Sequence, residues 1–125
     1  MRSNRELLTE AYLAFNRRDM DAVLALMSDN VDWPNAMEST RAIGIDEVRA
    51  YWTHQWKLLD PQVEPVHIAD EETGRTIVDV HQIVRDFDGQ ILVDQMVQHV
   101  YRIENGLIAH MEIRESVSIP PCSVK

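Results

Sequence analysis

One stretch, Ile91 to Glu115, constrains the fold more than any other part of the chain. It reads as two strands, Ile91–Ile103 and Leu107–Glu115, joined by the turn residues Glu104, Asn105 and Gly106. Side chains alternate along a strand, so Gln95, Val97, His99, Tyr101 and Ile103 share one face, and Met96, Gln98, Val100 and Arg102 the other. Neither face is cleanly polar, as expected of a pair covered on both sides. Register decides which residues meet, because a slip of one residue exchanges the two faces. A two-residue Asn105-Gly106 turn sets His99 opposite Glu112. A three-residue loop, with Gly106 left-handed, sets Ile103 opposite Leu107 and His99 opposite Met111. The second register is favoured, because it groups Leu107, Ala109, Met111 and Ile113 with Val97 and Tyr101.

Helices are expected before this hairpin. Ser3-Asn4-Arg5-Glu6 fits a capping box ahead of the stripe Leu7, Leu8, Ala11, Tyr12 and Phe15. Asn16-Arg17-Arg18 should end that helix, as a solvated terminus. Asp19 should cap a short second helix running to Met27. Ser28-Asp29-Asn30 reads as a turn, Val31-Asp32-Trp33 as a short strand stopped by Pro34, and Asn35 to Ala42 as a loop. Asp46 should cap a third helix carrying Val48, Tyr51, Trp52, Gln55, Trp56 and Leu59. Strands are expected at Val63–Ala69 and Thr76–Arg85. Three helices followed by antiparallel strands imply an α+β fold, a cone whose curved sheet and covering helices enclose a pocket. Residues 1–115 are read as one domain and 116–125 as a tail.

The 125 residues carry 12 basic and 21 acidic side chains, a net charge of −9, which argues against a nucleic-acid partner. No apolar run is long enough to span a membrane, and no signal-peptide layout opens the chain. Cys122 is the only cysteine; no internal disulfide is possible, and a cytoplasmic location is expected.

The segments Ala11–Asp19 and Leu24–Trp33, together with His99–Ile108, resemble the opening and the closing hairpin of the NTF2-like superfamily. The nearest branch is the SnoaL-like proteins, relatives of ketosteroid isomerase and limonene epoxide hydrolase. The resemblance implies the cone fold over roughly residues 5–115 and a ligand pocket. Activity does not transfer with it. Where ketosteroid isomerases carry an aspartate base, this chain has Trp33 before Pro34, and the adjacent Asp32 points the other way. Where the epoxide hydrolases use a carboxylate it has Ile113, and Val97 and His99 replace their arginine–aspartate pair. Tyr12 lies one residue from the helix-one tyrosine of the isomerases.

His99 is the candidate general base. If Arg85 pairs with Ile91, Asp79 stands opposite Val97 and diagonal to His99, close enough to orient its imidazole. Tyr12 is the candidate donor to a developing oxyanion. Trp33, Asn35, Met37, Trp52, Trp56, His81, Val97, Tyr101, Met111 and Ile113 are the expected ligand-binding residues. Asn35, Met37 and Glu38 should rim the mouth, and Trp33 and Trp52 should line or gate it. His81, His99 and Asp79 have only the generic spacing of adjacent strands, so neither metal nor other cofactor is expected. The expected partner is a small, largely apolar ligand. It is either acted on by isomerisation, cyclisation, dehydration or hydration, or simply bound by a non-catalytic ligand-binding or assembly module. Val78, Val80, Met96, Gln98 and Val100, assigned to the outer sheet face, suggest a homodimer through it.

Overall fold

The computed structural model describes residues 3–35 and 38–115; the tail, Cys122 and Met37 lie outside them. In chain order the elements are α1 (Asn4–Asn16), α2 (Met20–Leu24), β1 (Met27–Asn35), β2 (Thr40–Ile43), α3 (Ile45–Leu58), β3 (Asp60–Asp70), β4 (Arg75–Arg85), β5 (Ile91–Glu104) and β6 (Leu107–Glu115). The strands form one curved, open sheet in the order β2-β1-β6-β5-β4-β3, with the helices packed against it. Among the described residues only the β1–β6 pairing is parallel.

Local chemistry explains most boundaries. The Ser3 hydroxyl accepts from Glu6 N–H while the Glu6 carboxylate accepts from Ser3 N–H, completing the capping box of α1. The Asp19 carboxylate caps α2 by accepting from Ala22 N–H. That helix ends at Leu24, and Met27, expected inside it, opens β1 instead. Ser28-Asp29-Asn30, expected as a turn, lies within β1, which continues through Pro34 because that proline sits in an outer pairing with β2. The expected Asn35–Ala42 loop contains the start of β2, whose four residues are too few to show a period. Gly44, not Asp46, is the N-cap of α3; its φ of 89° and its N–H to Val31 O (2.7 Å) suit a glycine turning the chain against β1.

Arg18 is not a solvated helix end. It adopts φ 63°, and its guanidinium donates to Phe15 O and Pro61 O and pairs with Asp60. The same guanidinium lies 5.2 Å from the Trp56 ring centroid. Asn16 completes the join by exchanging two hydrogen bonds with the backbone of Val63. These contacts tie the end of α1 to the start of β3 and set the helix across the concave face. Leu7, Leu8, Ala11 and Tyr12 are thereby buried against Val31, Val78, Val80 and Ile108. Truncating Leu8, which is fully buried, should cost about 2–5 kcal/mol.

Two register shifts decide what faces inward. At the β4–β5 hairpin Arg85 pairs with Ile91, as expected, but Val84 then pairs with Val93. This one-residue bulge exchanges the faces of β4. Val78 therefore stands opposite His99 and Val80 opposite Val97, both on the inner face and fully buried, which removes them from the outer set. Asp79 pairs with Gln98 and His81 with Met96, on the outer face. At the β5–β6 hairpin the tip follows the two-residue turn, with Glu104 opposite Leu107 and Ile103 opposite Ile108. A shift then sets Arg102 opposite His110, passing over Ala109, and His99 opposite Ile113. Neither simple register holds, yet the expected grouping of Met111 and Ile113 with Tyr101 and His99 survives.

Candidate functional site

Three polar side chains meet inside the cone. Tyr12 descends from the middle of α1, and His99 and Tyr101 rise from the inner face of β5. The Tyr101 hydroxyl donates to Tyr12 Oη at 2.8 Å, and Tyr12 Oη lies 2.8 Å from His99 Nδ1. Tyr12 and His99 are stacked, 16° between planes, and Tyr101 meets Tyr12 edge-on at 89°. All three are buried. Because Tyr12 accepts from Tyr101, its own hydrogen is directed at Nδ1, and the ring hydrogen of a neutral His99 sits on Nε2.

Burial sets the charge states. Desolvation lowers the His99 pKa to about 4. Desolvation likewise raises Tyr12, reinforced by Tyr101, and raises Tyr101 against the smaller opposing effect of its bond to Tyr12. The chain is therefore neutral from end to end near pH 7. Asp79 does not orient His99: it accepts from Gln98 Nε2 at 2.9 Å on the outer face, with His67 at 3.7 Å. An imidazole titrating near 6.5 would have needed that carboxylate.

A cavity of about 80 Å³ opens between α1, α3 and the sheet, and Tyr12, His99 and Tyr101 lie in its wall. His99 Nε2 has no hydrogen-bond partner among the described residues. It is not sealed either: Trp56 Nε1 is the one fully buried side-chain polar atom without a partner among them. The free nitrogen is thus accessible, on a residue that lines the cavity. Of the expected ligand-binding residues, Trp33, Trp52, Tyr101, Met111 and Ile113 line it. Trp33 meets Trp52 at 84° with centroids 5.4 Å apart and lies 6.2 Å from the Tyr101 ring, so the aromatic wall adjoins the polar chain.

Other expected residues stand elsewhere. Trp56 stacks behind Trp52 at 5.9 Å, outside the lining, because Phe15 and Arg18 hold it. Val97 is buried on the inner face against Val80 but is not in the lining. His81 is on the outer face, 2.7 Å from Asp94, as the bulge requires. Asn35 borders a separate, more polar depression with Arg41, Glu47 and His54. Asp79, His81 and His99 cannot share a metal ion across the sheet, and no cluster of three or more His, Cys, Asp or Glu suited to one occurs among the described residues.

The sequence reading missed Phe15, Gln55, Val63 and Gln82 as lining residues. Phe15 and Gln55 were visible in the helical stripes of Tyr12 and Trp52. Gln82 was hidden, because only the bulge turns it inward.

The chain belongs to the SnoaL-like domain family, whose model matches residues 8–111, and with it to the NTF2-like superfamily. No protein of curated function matches it in sequence. Among solved structures it is similar to an NTF2-like protein of unknown function from Burkholderia pseudomallei K96243, with 26% identity, 94% of each chain covered and a TM-score of 0.79. It is also similar in fold to TerC co-crystallised with polyporic acid, at 20% identity, 92% of each chain and a TM-score of 0.78. A candidate polyketide cyclase from Pseudomonas putida KT2440 shares the fold at 22% identity, covering 90% of this chain and 91% of its own, with a TM-score of 0.71. No helix among the described residues is long and apolar enough to cross a membrane.

Proposed function

We propose that the chain binds a small, largely apolar carbonyl compound in the cavity and acts on it by proton transfer, as an isomerase or cyclase does. One observation carries this reading: the Tyr101–Tyr12–His99 chain leaves an Nε2–H without a partner among the described residues, at the wall of a mainly apolar, aromatic-lined cavity. A neutral imidazole N–H is a donor for a carbonyl oxygen or the oxyanion that develops from it. The roles expected from sequence are thereby redistributed. Tyr12 spends its hydrogen on His99, and His99 presents the donor. The resemblance in fold to TerC with polyporic acid and to a candidate polyketide cyclase supports an oxygenated ligand.

Calorimetric titration with the matched pair 2-tetralone and tetralin tests the binding. The ketone should bind about tenfold more tightly, the value of one well-placed hydrogen bond. His99→Phe should erase that difference. Equal affinity for the two compounds in the wild-type chain overturns the reading. A ketone preference with no turnover of any enolisable ketone would leave the ligand-binding module, without the enzyme.

The outer sheet face is also proposed as a self-association surface. Met96 and Gln98 remain there after Val78 and Val80 are reassigned, joined by Ile77, while Val100 keeps the outer face but is buried. Sedimentation showing only monomer at micromolar concentration overturns this.

A further inference from the structure

We propose that Tyr101, Tyr12 and His99 form a reversible proton wire that interconverts a ketone and its enol without any of the three becoming charged. This rests on the binding reading above and assigns catalytic residues to both ends of the chain. The geometry is that of a relay. Two hydroxyls and one imidazole are joined by consecutive 2.8 Å contacts, and both terminal residues, His99 and Tyr101, line the same cavity. Tyr12, in the middle, is a relay and positioning residue.

A chain of this kind has two neutral settings. In the one described, hydrogens run from Tyr101 to Tyr12 to Nδ1, so Nε2–H is a donor and the Tyr101 oxygen is free to accept. In the other, Nδ1–H donates to Tyr12, Tyr12 donates to Tyr101, Nε2 is an acceptor and the Tyr101 O–H is a donor. Passing from the first to the second takes the hydrogen off Nε2 and adds one at Tyr101, an exchange that an enol or a solvent water touching both ends completes. Enolisation starts from the second setting. Nε2 takes a hydrogen from the carbon beside the carbonyl, and the C–H electron pair becomes the C=C bond. The Tyr101 hydrogen passes to the carbonyl oxygen, which receives it with the C=O π pair. Tyr12 gives its hydrogen to the Tyr101 oxygen, and Nδ1 gives its own to Tyr12. One C–H breaks and one O–H forms in the ligand, and the wire ends in the described setting with no net charge anywhere. Ketonisation runs the same steps backwards, with Nε2–H protonating carbon and the enol O–H passing to Tyr101.

The surroundings favour this route over a stepwise one. A lone general base would leave an imidazolium, or a tyrosinate, buried in the core with no ion of opposite charge facing it. Tyr51, Gln55 and Gln82 also stand in the cavity wall, and among the described residues no carboxylate, lysine or arginine does. Desolvation opposes every charged intermediate, as the lowered His99 and raised tyrosine pKa values also indicate.

The test uses the intact chain and 1-phenylbutane-1,3-dione, whose keto and enol forms differ in ultraviolet absorption. Calorimetry first establishes that the probe binds. The wild-type chain should then accelerate keto–enol relaxation. Tyr12→Phe and Tyr101→Phe should each lower kcat on the order of 100-fold with KM little changed, the scale of a lost proton-transfer partner. The wild-type rate should fall along a curved line as D₂O replaces H₂O, because several hydrogens move together. Histidine ¹⁵N shifts in the Tyr12→Phe chain, whose fold is checked by circular dichroism, should show Nδ1 released from its hydrogen bond. Bound probe with no wild-type acceleration, or acceleration that Tyr12→Phe leaves within about threefold, overturns the wire while the binding reading stands. A linear dependence on D₂O content, marking one hydrogen in flight, overturns it equally. No binding of the probe, together with failure of the tetralone pair, overturns both.

Discussion

His99 and His81 stand on adjacent strands, and opposite faces of one sheet have made them different reagents. On the inner face, His99 meets a tyrosine hydroxyl in a desolvated core and stays neutral down to a pKa of about 4. On the outer face, His81 lies 2.7 Å from Asp94, a carboxylate whose side chain is 52% exposed. A carboxylate partner fits where water can share the cost of its charge. In the core that cost would be several kcal/mol per ion, so a neutral partner is the stable choice. What the cone supplies to its cavity is therefore an ordered set of neutral donors and acceptors, while ionic pairs are kept to the outside.

The largest test of that contrast is kinetic. On any carbonyl substrate that the chain turns over, His99→Gln should reduce kcat by a factor on the order of 100 to 10,000, whereas His81→Gln should leave it within about twofold. Comparable losses from both variants would mean that the outer face takes part in the chemistry.

Next comes acid stability. The folded chain holds His99 neutral to about pH 4, while the unfolded chain protonates near 6.5. Between those values the unfolded state binds the extra proton, so stability is full above about 6.5, falls through the window and levels off below 4. The loss assignable to this residue is roughly 3 kcal/mol. Urea denaturation of wild type and His99→Phe at pH 7 and pH 4.5 should show a smaller drop for the variant. Equal drops would show that the buried histidine is not the group responsible.

A smaller effect is expected from Tyr12→Phe, which strands His99 Nδ1 and the Tyr101 hydroxyl together. Leaving buried polar groups unpaired should cost about 1–3 kcal/mol in denaturant melts. Smallest of all, Asp79→Asn should change stability by less than about 0.5 kcal/mol, because its contacts are partly exposed and screened. A larger loss at Asp79 than at Tyr12 would reverse the ranking of the two faces.

The parts of the molecule that sequence made legible are those governed by local rules. The capping box at Ser3, the Asp19 cap, the α1 stripe and the sharing of one face by His99 and Tyr101 all follow from spacing within a single element. Tyr12 was legible as a site candidate, although its partner was not. What stayed hidden depends on counting across a turn. Asp79 and Gln82 exchange faces because of the bulge between Val84 and Arg85, and nothing in the residues there announces an extra position. The offset at Ala109 is equally silent. The Trp56 misplacement has another cause: aromatic spacing on α3 gives the buried stripe, and only Arg18 packing from α1 decides which ring stands behind which.

The unpaired residue at Ala109 carries a consequence for how this gene can change. Losing that one codon would only close the bulge, with Met111 still opposite Tyr101 and Ile113 opposite His99, whereas gaining one beside it would alter no amino acid in the cavity wall yet force a choice on the last strand. Either the bulge relocates, or Met111 and Ile113 trade places with Glu112 and Arg114, bringing charge against His99. A one-residue insertion at this hairpin is therefore a route by which descendants of such a chain could acquire a new cavity chemistry in one step, without any substitution inside it.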